Sequence, residues 1–386
     1  MTGIVTGACE SKLTLLCPIK DRPEYTKRFL SYLASESCRF PVLMADGSAK
    51  DETKEVADTA ISQGLNLEYR KYPFDENWGA FLSKMCHALE SIETPYTSLI
   101  CDDDYYDFDE MANCVRFLEE NPKYGSVGGE IIDFHVVGRG GVYGSIAISE
   151  SGRHCSGRYK RNQQVDDDGL FGRLKRYDDV FPYEYIHRTS TLRDIFQLSK
   201  DANVRSYMHL QPIMKYMTLI CGPIHYIGTP LILRQDNTAE AEGKDMIRQA
   251  ASPLYFHGNP DNARTEREII DRLVRYAVSR EPGASEAAVE LILQAKLIER
   301  YQQAIAQNLH LVIGANRLPV GYLLSQFWRS AASSLRAAVG RTIVGQVLKN
   351  VLAELEARNV SATPLHLEFV RDRFLKSVVS SVSRNQ

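Results

Sequence analysis

The sequence predicts an α/β fold, a mostly parallel sheet flanked by helices and followed by an α-helical C-terminal extension. Three observations carry this. Short apolar runs alternate with segments of helical periodicity over the first half of the chain, the pattern of βαβ units. The connections between them are short. From about Asp245 onward, apolar residues recur at helical spacing almost throughout.

Lys12 to Cys17 is an apolar run that reads as a buried strand. Pro23 suits the first position of a helix, and Tyr25, Phe29, Tyr32 and Leu33 follow at helical spacing. Phe40 to Ala45 is a second strand, stopped by Asp46-Gly47-Ser48. Val56, Ala60 and Ile61 mark a second helix, with Gly64 at its C-terminal cap. Leu65 to Tyr72 is a more polar third strand, and Phe81, Met85, Ala88 and Leu89 make a third helix. Tyr96 to Cys101 is a fourth strand that runs into Asp102-Asp103-Asp104. A helix from about Asp109 and a strand over Tyr124 to Phe134 come next. Residues 139–179 are rich in Gly, Arg, Ser and Asp and read as a long loop with a hairpin near Val142 to Ile148. Phe181 to His187 and Ile224 to Arg234 read as strands, and Arg193 to Phe196 and Ile213 to Leu219 as helical. Beyond them, stripes such as Ile269, Ile270, Leu273, Tyr276 and Ala277 are helical.

The chain has 386 residues, 44% apolar and 25% charged, which suits globular domains rather than disorder. A net charge of -3 argues against a dedicated nucleic-acid binder. Residues 311–386 hold ten Lys/Arg against four Asp/Glu, so a basic tail follows an acidic body. Its amphipathic helices, with Leu323, Phe327 and Trp328 beside Arg329 and Arg336, fit either an anionic membrane surface or packing against the protein or a second subunit. None of the eight cysteines stands in a CxxC or metal-ligand spacing, the N-terminus lacks signal-peptide character, and no run reaches the ~20 apolar residues of a membrane span. The expected location is cytoplasmic, with peripheral contact at the inner face of the membrane as one use of the basic tail.

The acidic triplet is the strongest chemical signal. Three adjacent carboxylates repel one another, and a divalent cation removes that conflict. In an extended chain Asp102 and Asp104 point to one side and can share a metal. Oxygen ligands suit Mn²⁺ or Mg²⁺. In parallel sheets ligands gather at the carboxyl ends of strands, and Asp21, Asp46 and Asp102 to Asp104 all stand at such ends. The second triplet, Asp166-Asp167-Asp168, lies in a polar loop and reads as solvated.

Leu15-Leu16-Cys17-Pro18 with Asp21-Arg22, then Asp46-Gly47-Ser48, then Asn77-Trp78-Gly79, then the acidic triplet, resembles in order and spacing the GT-A glycosyltransferases of the family-2 type. The likeness is good over residues 12–135 and weak to Arg234. It implies a GT-A, Rossmann-like catalytic domain over residues 1–240, ahead of a helical extension over 241–310 and the basic region 311–386. It also implies transfer of a hexosyl or related group from a nucleotide-diphosphate sugar to an acceptor hydroxyl on a glycan or lipid-linked acceptor, as in surface glycan biosynthesis.

Pro18, Asp21 and Arg22 match where the family's first strand meets the nucleotide. Asp46 matches the carboxylate that reads the base; its other reading is a turn carboxylate bonding nearby backbone N–H groups. Lys84 matches a basic residue near the diphosphate and is otherwise a surface charge. Asp102 and Asp104 match the DxD-like metal pair, with Asp103 beside them. Arg234 suits a diphosphate clamp or a surface position. The family's general base opens a helix, and here that place holds His209-Leu210-Gln211-Pro212 without a carboxylate. His209, Glu184 and Asp194 are the candidate proton acceptors, and the stereochemical outcome stays open. His257 is a further metal ligand or an ordinary loop histidine. A nucleotidyltransferase is the weaker enzyme alternative, because the turn after the first strand has no glycine. A non-catalytic nucleotide- or sugar-binding protein is the other.

Overall fold

The computed structural model describes residues 9–138, 141–148, 164–166, 169–235 and 260–296. Asp167, Asp168, His257 and the basic region 311–386 lie outside the described residues. The first half alternates strand and helix as expected: β1 (Leu13–Ile19), α1 (Pro23–Ser35), β2 (Val42–Asp46), α2 (Glu52–Ser62), β3 (Leu67–Lys71), α3 (Trp78–Glu90) and β4 (Tyr96–Leu99). A two-residue strand, β5 (Tyr105–Tyr106), precedes α4 (Phe108–Glu120), whose N-terminus is capped by Asp107 accepting from Glu110 N (2.8 Å). Then come β6 (Ser126–Val137), β7 (Ser145–Ile148), the short α5 (Gly169–Lys175), β8 (Ile186–Arg188), α6 (Thr189–Asp201), α7 (Tyr207–Cys221), β9 (Ile224–Gln235) and α8 (Pro260–Arg280), with a further helix over residues 286–296.

One nine-stranded sheet runs β3-β2-β1-β4-β8-β6-β9-β5, with β7 paired to β6 as the expected hairpin. β1 to β4 are parallel neighbours, and β6 and β9 are parallel to each other. β8 is inserted antiparallel between β4 and β6. The predicted strand over Phe181 to His187 is shorter than expected, because its first half is a 3-10 turn at Pro182–Glu184. Proline lacks the N–H that a ladder requires.

Side chains alternate across the sheet with period two. Leu13, Leu15 and Cys17 join the core under α1, α2 and α4, while Leu16 joins the opposite core under α3, α6 and α7. The second core also takes Ile269, Leu273 and Ala277 from α8, and Val289 and Leu293 from residues 286–296. This part of the helical extension is therefore built onto the sheet's own core. Arginines close the helix ends that abut it: Arg188 donates to carbonyls at the end of α4, Arg193 at the end of α3 and Arg173 at the end of α7. A cation suits the carbonyl end of a helix dipole.

Leu273 is 1% exposed in that shared core. Leu273→Ala is expected to cost about 2–5 kcal/mol by loss of burial and cavity formation. Because α8 packs on α6 and α7, denaturant melts should show one shifted transition rather than a separate early loss of helix.

Candidate active site

The site forms where β1, β2, β4 and β9 end. After β1 the chain turns sharply at Asp21, whose φ of 51° lies in the left-handed region that Asp tolerates better than most residues. Asp21 N donates to Ser48 Oγ (2.7 Å), and Asp21 Oδ1 accepts from Ala49 N (2.8 Å). The turns after β1 and β2 are thus clasped together. Pro18 lies inside β1, level with Ala45 of β2.

Asp46 ends β2 fully buried, and both its oxygens are engaged. Oδ1 accepts from Ser48 N (2.7 Å), while Oδ2 accepts from the Tyr69 hydroxyl and faces Lys71 Nζ (3.3 Å). These bonds fit the turn role of the Asp-Gly-Ser sequence. Next to it, a Cβ on Gly47 would come within 2.3 Å of the Asp75 carboxylate. Only glycine lets that acid approach so closely. Asp75 is buried and ion-paired with buried Lys84, which also donates to Ile19 O (3.3 Å). Burial pushes the Lys84 pKa down, against the pull of Asp75. Lys84, expected either near a diphosphate or as a surface charge, is buried beside the end of β1 with its charge met by a partner the sequence did not reveal.

The acidic triplet follows β4 and is buried: Asp102 and Asp104 are 3% exposed and Asp103 8%. The chain turns at Asp102 and Asp103, so the extended geometry assumed for an Asp102–Asp104 pair is not met. Asp102 accepts from Thr26 Oγ1 (3.0 Å) and faces Arg22 (3.3 Å), which also pairs with Asp103 (2.9 Å). Asp104 Oδ1 accepts from Gln235 N (2.8 Å) at the end of β9. Arg28, buried on α1, donates to Asp103 O (3.0 Å). Burial raises the Asp102 carboxyl to about 6, opposed by Arg22. Burial also pushes Asp104 well above the usual carboxylate range, with Asp103 and Glu184 adding to it.

Topology explains why Glu184 arrives here. β8 runs antiparallel to β4, with Ile186 level with Ser98. The residue two before Ile186, Glu184, and the acids that follow Ser98 at four to six positions therefore lie toward the same rim. Glu184 is 3% exposed, and its Oε2 has no hydrogen-bond partner among the described residues. Burial raises its carboxyl to about 7; Arg234 opposes this, while Asp133 and Asp103 add to it. Arg234 is held by Asp133 Oδ1 through Nε (2.9 Å) and Nη2 (2.8 Å), so its fork is engaged within the sheet. His209 is buried in the first turn of α7, its Nδ1 3.4 Å from Ser206 Oγ. Asp194 accepts from Tyr276 (2.7 Å) and so fastens α6 to α8 on the helical side.

Among the described residues, Cys101 Sγ and one carboxylate oxygen from each of Asp103 and Asp104 lie within 4.8 Å of one another. The donor chemistry fits a hard divalent cation at the two carboxylates, with the thiol a softer donor that such an ion does not require. The charges fit as well. With Asp133 matched by Arg234, the cluster sets Asp102, Asp103, Asp104 and Glu184 against Arg22 and Arg28. That is an excess of two negative charges when all are ionised. Sequence reasoning missed Arg28, Asp75 and the bracing role of Gln235.

No family model matches the chain, and no curated protein matches it. Solved structures do. Staphylococcus aureus TarS residues 1–349 in complex with UDP-GlcNAc is 16% identical, with a TM-score of 0.50 over 97% of this chain and 92% of that one. The same TarS fragment in a second crystal structure gives 14% and 0.47 over 97% and 92%. The mannosyltransferase PcManGT from Pyrobaculum calidifontis, in complex with GDP-Man and Mn²⁺, gives 13% and 0.41 over 97% and 88%. The fold likeness rests on the first of these: an α/β, GT-A-like sheet flanked by helices.

The raised Glu184 carboxyl has a consequence for stability. In the unfolded chain it ionises near 4.5, and in the folded protein near 7. Its neutral form is favoured by folding, so that contribution is complete below pH 4.5 and lost as pH rises through 7. Glu184→Gln removes the penalty. The variant should match the wild type in thermal melts near pH 4 and exceed it near pH 8, by up to about 3 kcal/mol. Equal stability at both pH values would show that Glu184 ionises freely in the fold.

Proposed function

We propose that this chain is a glycosyltransferase that moves a sugar from a nucleoside-diphosphate sugar to an acceptor hydroxyl. The observation that carries the reading is the buried acidic turn at the carboxyl end of β4, in a fold shared with a protein solved with UDP-GlcNAc. In this reading residues 1–240 form the catalytic domain, ahead of the helical extension 241–310 and the basic region 311–386. The acceptor is a glycan or a lipid-linked chain in surface glycan biosynthesis, and the basic region offers a peripheral membrane contact.

Asp103 and Asp104 are the pair the geometry favours for Mn²⁺ or Mg²⁺, with Asp102 braced behind them by Arg22 and Thr26. When bound, such an ion stabilises negative charge on a departing diphosphate. Arg22, half-buried at the entry to α1 and paired with the acidic turn, adds a fixed positive charge. In this reading Pro18 at the end of β1, Asp21 in the turn after it, and Lys84 with its partner Asp75 stand on the nucleotide side of the site. Glu184 is the proton acceptor for the acceptor hydroxyl. A carboxyl poised near neutrality takes up a proton more readily than one at its ordinary value. The absence of a carboxylate at the start of α7 also favours a second reading, a binding protein that performs no transfer.

Release of free nucleoside diphosphate separates the two readings. With Mn²⁺ and UDP-GlcNAc as first probe, the wild type should turn over. Asp104→Asn should lose the Mn²⁺-dependent thermal shift given by UDP, because ligand binding raises apparent stability by mass action. Undiminished shift and turnover in that variant would remove the acidic turn from the site. Glu184→Gln should keep the UDP shift and lose about 10²–10⁴-fold in kcat. A kcat near wild type would transfer the proton-acceptor role to His209 or another group.

A further inference from the structure

Arg28 is one of the largest fully buried side chains in the protein. It lies on α1 with its guanidinium over the rings of Tyr25 (5.3 Å) and Tyr105 (5.4 Å). Its donors reach Asp103 O (3.0 Å), Val142 O (2.7 Å) and Gln235 Oε1 (2.8 Å). All three acceptors are neutral oxygens, and no carboxylate among the described residues pairs with it directly. A buried cation without a bonded anion is costly to keep. Other arginines of the protein are met differently: Arg173, Arg188 and Arg193 satisfy carbonyls at helix ends, Arg234 pairs with Asp133, and Arg22 pairs with Asp102 and Asp103. The acceptors of Arg28 belong instead to the acidic turn and the two segments that brace it.

We propose that Arg28 is a positioning residue that sets the two cation-binding carboxylates, the backbone of Asp103 directly and the side chain of Asp104 through Gln235. The second link is explicit in the geometry. Gln235 N donates to Asp104 Oδ1 (2.8 Å) while Gln235 Oε1 accepts from Arg28. Gln235 Nε2 donates to Gly141 O (2.6 Å), beside the Val142 carbonyl that also accepts from Arg28. One guanidinium thus holds three segments: the acidic turn, the end of β9 and the turn between β6 and β7. A planar fork with several donors can do this, whereas a lysine ammonium presents a compact charge that cannot reach all three acceptors. Arg28 touches neither cation nor sugar nucleotide in this scheme; it acts through Asp103 and Asp104. The inference rests on the reading that these two acids hold a divalent cation.

The test uses the full chain and Mn²⁺ alone, with free Mn²⁺ followed by electron paramagnetic resonance. The variants are Arg28→Lys, Gln235→Ala, the double variant and Asp104→Asn, and the metal-free thermal midpoint of each reports folding. Arg28→Lys and Gln235→Ala should each weaken Mn²⁺ binding by about tenfold, a typical size for coupled groups. Because they act in series, the double variant should be no weaker than the worse single one. A purely structural Arg28 would lower the midpoint yet leave the Mn²⁺ affinity of the folded protein unchanged, which overturns the proposal. So would losses that multiply in the double variant. If Arg28→Lys does not fold, Gln235→Ala decides alone, and wild-type affinity there overturns the proposal. A wild type that binds no Mn²⁺, and so matches Asp104→Asn, defeats the cation reading itself, an outcome distinct from any of these.

Discussion

The turn after β4 carries three carboxylates out of water, and the surrounding structure is arranged to keep them there. Burying an ionised acid is costly unless charge and hydrogen bonds meet it. α1 meets Asp102 and Asp103 with Arg22, Thr26 and Arg28 from successive turns of one helix and its entry. β9 meets Asp104 with a backbone N–H at its last residue. These partners are separated from the acids by about seventy to more than one hundred positions in the chain. The compensation remains partial, as the raised Asp102, Asp104 and Glu184 carboxyls show. A site left short of positive charge is one that gains from a bound cation.

Local pattern carried much of the fold. The period-two and period-3.6 stripes placed β1 to β4 and α1 to α4, and the acids at the end of an apolar strand marked the rim. What local pattern could not carry was partner choice. Asp46 is satisfied by Tyr69 and Lys71 across a parallel neighbour, and Lys84 by Asp75 across a turn. Both depend on which strands lie side by side, a tertiary fact. The expected Asp102–Asp104 pair rested on an extended chain, whereas the strand ends at Leu99 and the acids sit in a turn.

One missed residue did leave a trace. Tyr25, Arg28, Phe29 and Tyr32 stand at i, i+3, i+4 and i+7, so Arg28 falls on the apolar stripe of α1. A charge on a buried stripe is rarely idle, because it must be met inside the protein. The faces of Tyr25 and Tyr105 near its guanidinium and its carbonyl acceptors are how this one is met.

The reversed strand β8 has the broadest consequence for how the site is assembled. Parallel strands deliver to the rim only the residues that follow them, so a purely parallel sheet would build its site from strand-to-helix turns alone. An antiparallel strand between two parallel ones delivers the residues that precede it. Here that is the 3-10 turn Pro182–Glu184, stiffened by Pro182, whose carbonyl accepts from His187 Nε2 (2.7 Å). That bond leaves a buried imidazole whose pKa burial lowers to about 4, so it stays neutral and keeps the turn fixed across the physiological range. The carboxyl of Glu184 is thereby presented from a short, constrained segment rather than from the first turn of a helix. For the transfer proposed above, a search for the proton acceptor by position along the chain looks at α7 and finds histidine and glutamine. A search by topology looks at what enters the rim backwards, and finds an acid.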